Sequence, residues 1–310
     1  MPDPAVPAVP GTTDATRTPD APASPRPPTA VAALWMVGAL LSFLAMALGG
    51  RELSAGLSTF QILFFRSVFG LVVIGLLVAR TGTQTLRTTR LGLHLWRNLA
   101  HFGGQFGWFF AIAVIPLAEV FAIEFTIPIW TALLAAAFLG ERLTGARMLA
   151  LALGIAGVLL ILRPGVAIVQ PAAVAALLGA MAFAVSYVLT KRLTVTEGPL
   201  AILFFMALMQ LPLGLAGAVL QWREVLLAHV PWLLIVGIAS LSAHYCLARA
   251  LSLADVGVVV PIDFLRLPLV AVLGYVLYGE TIDAFAIAGT VLILAANVAN
   301  IRSSLRKTAA

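Results

Sequence analysis

From Val31 onward the chain is a succession of apolar stretches, each about twenty residues long, separated by a few polar or charged positions. The stretches predict α-helices at roughly 30–48, 58–79, 95–114, 117–139, 145–163, 171–190, 198–220, 230–250, 256–278 and 283–301. A run of about 20 mostly apolar residues carries an α-helix across the hydrocarbon core of a bilayer. The third and fourth stretches are joined by only a few residues around Pro116, and their combined length requires a break there. Pro171, Pro199 and Pro231 fall where a helix would begin, a position at which proline removes no helical hydrogen bond. Pro128, Pro212, Pro261 and Pro268 fall inside stretches, where kinks are expected and neighbouring groups must satisfy the freed carbonyls.

Composition strengthens the membrane reading. The chain is 61% hydrophobic and 10% charged, against roughly 25% charged residues in soluble domains. A soluble fold of this length could not hide so much apolar surface. A single cysteine, Cys246, excludes a disulfide framework and a cysteine-based metal site. Neither a metal cluster nor a cofactor motif is expected.

Residues 1–29 hold nine of the eighteen prolines and have no apolar run. They are expected to form a disordered, extended cytoplasmic tail. A basic start and an apolar central region are both missing, so this is not expected to be a cleaved signal peptide. Residues 303–310 form a second short tail.

The net charge of +6 does not point to nucleic acid, because no basic patch with interleaved aromatics accompanies it. Its distribution is informative instead. With the N-terminus in the cytoplasm, fourteen of the nineteen Lys and Arg residues fall on that side, Arg97 among them. Three fall on the far side (Arg51, Arg163 and Arg223), and Arg66 and Arg266 lie inside helices. The positive-inside rule then places both termini in the cytoplasm of a bacterial-type inner membrane.

The chain also repeats itself. Residues 111–158 align with 250–297 at an offset of 139 without gaps. Ile123/Ile262, Phe125/Phe264, Gly140/Gly279 and Glu141/Glu280 coincide, Glu124 and Asp263 agree in charge, and Gln105 meets His244. Each half then holds five helices, residues 30–163 and 171–302. Because five is odd, the second half is inverted relative to the first. Inverted repeats are a recurrent architecture of secondary transporters, with the substrate site near the bilayer midplane. The expected fold is all-α, with ten transmembrane helices as two inverted five-helix repeats.

Phe138-Leu139-Gly140-Glu141-Arg142-Leu143 followed by Gly154-Ile155-Ala156-Gly157, echoed by Tyr278-Gly279-Glu280-Thr281, resembles the drug/metabolite transporter superfamily, in particular its EamA-type ten-helix members. Arg66 in the second helix and Ala118-Glu119 opening the fourth fit the same pattern, and the resemblance spans roughly residues 30–302. It implies ATP-independent movement of amino acids, vitamins, nucleotide-like metabolites or drugs. The second half departs from the common pattern in Pro261-Ile262-Asp263-Phe264-Leu265-Arg266-Leu267-Pro268, a stretch in which some riboflavin and amino-acid-like carriers look similar.

An ionisable side chain in the bilayer core is costly, which makes it a functional candidate by default. Asp263 and Arg266 are three residues apart and can pair on one helical face. They would bind a zwitterionic or polar substrate, or simply neutralise each other. Glu124 occupies the place equivalent to Asp263, and depth in the membrane makes Arg66 its expected counter-charge. His101 and Gln105 sit four apart on the third helix, and His244 with Tyr245 occupies the matching eighth. These histidines could relay protons or hydrogen-bond between helices. Trp108, Phe109, Trp130 and Phe264 are candidates for an aromatic pocket wall. Glu141 and Glu280, at helix ends on opposite sides, are expected to bind backbone amides or to gate access. Gly103 and Gly107 permit close helix approach.

The partners expected are a small-molecule substrate, the lipid bilayer, and protons or a counter-substrate. A homodimer is compatible with the pattern. An intramembrane enzyme would need a nucleophile with its base or a metal cluster, and no such motif accompanies Ser186, Ser240 or Ser242. A channel or passive facilitator is the remaining alternative, to be separated from a carrier by saturation of flux.

Overall fold

The computed structural model describes residues 29–139, 145–163, 170–253, 259 and 262–308. Glu141, the N-terminal proline-rich segment and Pro261 lie outside the described residues. Among those described, every regular element is helical: α1 (Thr29–Ser54), α2 (Thr59–Thr81), α3 (Leu91–Val114), α4 (Leu117–Glu124), α5 (Ile127–Leu139), α6 (Gly145–Leu162), α7 (Pro171–Leu193), α8 (Pro199–Leu220), α9 (Val230–Leu253), α10 (Arg266–Tyr278) and α11 (Ala284–Thr308).

Local chemistry sets several boundaries. Ser58 opens α2 with a capping box, accepting from the Gln61 amide while its own amide donates to Gln61 Oε1 at 3.1 Å. Pro171 and Pro199 occupy the first turns of α7 and α8. The stretch 117–139, expected as one helix, breaks at Phe125–Thr126. Pro128 explains the break, since it lacks an N–H for the Glu124 carbonyl and its ring crowds that oxygen. The equivalent stretch of the second half breaks at Leu265, with Pro268 standing four residues after Phe264. Its helix ends at Gly279, whose φ of +65° lies in the left-handed region that glycine adopts without strain.

The starts of α2, α3 and α6 at 59, 91 and 145 recur in α8, α9 and α11 at 199, 230 and 284. Packing follows the same correspondence. The most extensive pairings are α1 with α9, α3 with α7, α2 with α8, and α6 with α11. Exchanging the halves converts α1–α9 into α7–α3 and returns the other two pairings to themselves. Two of these crossings need glycine. A side-chain carbon on Gly107 would stand 2.2 Å from the Ala175 carbonyl of α7, and one on Gly157 would stand 2.6 Å from the Gly289 carbonyl of α11. The close approach on α3 therefore involves Gly107 and Gly104, while a side-chain carbon on Gly103 would meet the Ala182 side chain at an ordinary 4.0 Å.

Six helical spans among the described residues are long and apolar enough to cross a membrane: Ala30–Ser54, Thr59–Thr81, Leu117–Phe138 (α4 and α5 taken across their break), Pro171–Leu193, Pro199–Leu220 and Leu227–Leu253. Met148–Leu162 and Ala284–Ala299 are apolar but shorter. The chain is thus a multi-pass membrane protein, all-helical among its described residues. The helix α3 has 24 residues but buries His94, Arg97, Asn98, His101 and Gln105 along one face, which sets it apart from the six. Arg97, counted on the cytoplasmic side by the charge distribution, is only 6% exposed inside this helix.

Candidate functional site

The two helix breaks place their acids at one cavity. Glu124 ends α4 just before the first break, and Asp263 lies two residues before the second. The cavity, of about 220 Å³, is bordered by Glu124, Asp263, Arg266, Arg66, His101, Gln105 and His244. Aromatic and apolar walls complete it, among them Trp108, Phe109, Phe125, Phe43, Phe183 and Tyr187. Both halves of the chain contribute.

Arg266 is the centre of one group. Its Nη1 lies 3.2 Å from Glu124 Oε1 and its Nη2 lies 3.5 Å from Asp263 Oδ2. The guanidinium also rests over the rings of Phe43, Phe121 and Phe125, 4.5–5.1 Å from their centroids. Such stacking suits a planar, weakly hydrated cation. Trp108 Nε1 donates to the second carboxylate oxygen of Glu124 at 2.7 Å. The buried Asp263 Oδ1 has no hydrogen-bond partner.

The expected Asp263–Arg266 pair is thus present, whereas the expected Glu124–Arg66 pair is not. Arg266 reaches Glu124 from the other half because the symmetry-related breaks bring α4 and α10 together, and Phe125 meets Phe264 edge-on with ring centroids 5.4 Å apart. Arg66 is left without an acid among the described residues. Its buried Nε donates to no group.

On α3, Gln105 Nε2 lies 2.7 Å from His101 Nδ1, and Gln210 Nε2 of α8 lies 3.0 Å from the same nitrogen. His244 Nδ1 is 2.7 Å from the Ser240 carbonyl, one turn earlier on α9. A backbone carbonyl only accepts, so Nδ1 carries the ring proton there. Tyr245 is placed elsewhere: it is 59% exposed and packs edge-on against Trp35. Of the aromatic candidates, Trp108 and Phe109 line the cavity, while Trp130 donates to Thr126 Oγ1 beside the first break.

Glu280 lies away from the cavity, at one end of the bundle. Its Oε2 accepts from the Leu117 amide at 2.8 Å, so it satisfies an orphan donor at the start of α4. Its other oxygen pairs with Arg51, which also donates to the Ile112 carbonyl near the end of α3. The left-handed Gly279 turns the chain so that Glu280 can make this contact. Nearby, Tyr278 donates to Glu52 at 2.8 Å. Backbone capping, one of the two roles expected of Glu280, is observed.

Several contributors were not singled out from sequence. Tyr187 and Phe43 stand among many aromatics, and Arg97, which is buried near the start of α3 without lining the cavity, was hidden by its position near a helix end. Arg97 donates to Thr190 Oγ1 at 3.1 Å and Asn98 Oδ1 at 2.8 Å. The only available signal was the spacing His94, Arg97, Asn98, His101, Gln105 and Trp108, which repeats at three or four residues and so marks one helical face.

The chain is 28% identical to an S-adenosylmethionine uptake transporter of Rickettsia bellii, over 85% of this chain and 91% of the relative. It is 30% identical to a riboflavin transporter of Brucella anthropi, over 78% and 88% of the two chains. It is also 30% identical to a pseudopaline exporter of Pseudomonas aeruginosa, over 80% and 88%. A solved crystal structure superposes with a TM-score of 0.62 at 21% identity, covering 89% of this chain and 98% of the other, and shows the same fold. The EamA-like transporter family matches residues 30–163 and again 170–301. With both halves matched and the same fold in a solved structure, the chain belongs to the EamA-like transporter family.

Proposed function

We propose that this protein is a secondary transporter that moves a small organic metabolite across the inner membrane by alternating access. The observation that carries the proposal is the meeting of ionisable groups from both halves at one cavity beside two broken helices. Discontinuous helices at a repeat interface are a recurrent way to build a midplane substrate site. A closed bundle without substrate would have little use for charges that are costly to keep there.

In this reading ten membrane-spanning helices form two inverted repeats, residues 30–163 and 171–302, with both termini in the cytoplasm. Residues 1–29 are a tail outside the transport unit. Rocking of one repeat against the other exposes the cavity to each side in turn. Mixed charge with aromatic walls favours a zwitterionic or polar aromatic substrate, in keeping with the named substrates of the relatives. Glu124, Asp263 and the two histidines supply titratable positions for coupling to protons or to a counter-substrate. No enzymatic step is assigned to the cavity.

Counterflow in proteoliposomes tests the proposal. Vesicles preloaded with S-adenosylmethionine or with riboflavin are expected to accumulate the labelled form of the same compound, with a rate that saturates. Flux that rises linearly without trans-stimulation would identify a channel. Absence of flux for both compounds and for a panel of amino acids would sink the carrier reading.

A further inference from the structure

Two arginines share the cavity, and their charges are met differently. Arg266 is held by Glu124 and Asp263 and covered by three aromatic rings. Arg66, 8% exposed on α2, has no carboxylate within ion-pair distance among the described residues. Its enclosed Nε donates to nothing. The charge acting most strongly on it is that of Arg97, another cation. Arg97 is itself directed to the neutral oxygens of Thr190 and Asn98.

The charge count around the cavity is therefore divided. Glu124, Asp263 and Arg266 together carry one surplus negative charge when ionised, and Arg66 carries an uncompensated positive one. Folds rarely leave a buried cation unpaired, because removal from water is repaid only by a close counter-charge. Arg66 thus lacks a contacting counter-charge of its own among the described residues.

We propose that Arg66 is an oxyanion-binding pole of the cavity. It receives a carboxylate or other oxyanion of the transported molecule beside His101 and Gln105, while the cationic or polar remainder faces Asp263 and Glu124. This rests on the carrier reading and adds the substrate's acidic group and its orientation. A guanidinium suits this task because its planar fork of donors matches a carboxylate.

The test uses the full-length protein in lipid nanodiscs, melted by intrinsic fluorescence with sodium benzoate or neutral benzamide at constant ionic strength. The aromatic walls accept either ring, and only the acidic group differs. Benzoate is expected to raise the melting temperature of the wild type above that in benzamide. Arg66→Gln should lose that difference, and its ligand-free melting temperature should rise because an unpaired buried charge is gone. Arg66→Lys should keep part of the benzoate effect. Equal shifts with benzoate and benzamide, or a benzoate shift that survives in Arg66→Gln, would overturn the proposal. So would an Arg66→Gln protein that fails to fold or melts lower, since the charge would then be structural. A protein that passes counterflow yet fails here is a carrier in which Arg66 does not hold an acidic group of the substrate, so the two readings fail separately.

Discussion

Glu124 and Arg266 come from opposite halves of the chain and meet with Oε1 3.2 Å from Nη1. The contact joins the end of α4 to the start of α10, the two places where proline interrupts a helix. It makes the ionic centre a property of the interface between halves. Arg266→Gln would leave Glu124 and Asp263 facing each other without a cation. Removing one partner of a buried ionic group costs about 3–5 kcal/mol, and thermal unfolding in nanodiscs should show a loss of that order. A variant as stable as the wild type would mean that water already neutralises the pair.

Asp263→Asn tests function rather than fold. One oxygen of Asp263 faces Arg266 and the other is buried without a partner, so Glu124 still neutralises the arginine when the second charge is removed. The variant should be expressed and melt near the wild type, yet lose saturable counterflow. Normal flux would return Asp263 to scaffolding.

The sequence made much of this legible for one physical reason. A charge in an apolar stretch has no cheap explanation in lipid, so Glu124, Asp263, Arg266 and Arg66 announced themselves. Their pairing was not legible. Matching depths suggested Arg66 for Glu124, but depth says nothing of which way a helix face turns, and which residue the broken ends meet depends on tertiary packing. Tyr245 shows the same limit at short range. It follows His244 directly, yet successive residues point about 100° apart around a helix, and it packs against Trp35 outside the cavity. The Gly-Glu repeat was visible as a pattern, whereas its purpose required the Leu117 amide to be seen.

At that amide, Glu280→Ala removes a charge-assisted hydrogen bond and the partner of Arg51 together. Leaving a buried donor unsatisfied costs about 1–3 kcal/mol. Gly279→Ala should cost about 1–2 kcal/mol through its left-handed backbone alone, since the space around it is open. Melting curves of both variants should fall below the wild type, with Glu280→Ala the lower. Equal stability of Glu280→Ala and wild type would show that water replaces the cap.

Asp283 should give a pH-dependent contact at the same end of the bundle. The Ala286 amide donates to its carboxylate at 2.8 Å, and Arg163 pairs with it, so its pKa lies below the ordinary carboxylate value. A depressed folded-state pKa stabilises the fold at pH above the unfolded value, about 3.9. The contribution is lost as pH falls through the folded-state value. The stability difference between wild type and Asp283→Asn should be flat near neutrality and close only below about pH 4. A difference that shrinks between pH 5 and 7 would contradict the assignment.

Pro128→Ala asks whether the first helix break serves transport. Alanine restores an N–H that can reach the Glu124 carbonyl, and the helix can then run on through Thr126. The break has its own support, because Asn297 Nδ2 of α11 donates to the Phe125 carbonyl at 2.7 Å. Straightening the helix would rotate Glu124 relative to Arg266 and Trp108. The variant should melt at or above the wild-type temperature, since a main-chain hydrogen bond is gained. Its counterflow rate should nevertheless fall by about tenfold or more, since misplacing a reacting or binding group by about 1 Å can cost about a hundredfold. Stability and transport moving in opposite directions would identify the break as a functional feature maintained against the helix's own preference. If both are unchanged, Asn297 and the packing around Phe125 hold the break by themselves, and Pro128 is dispensable to it.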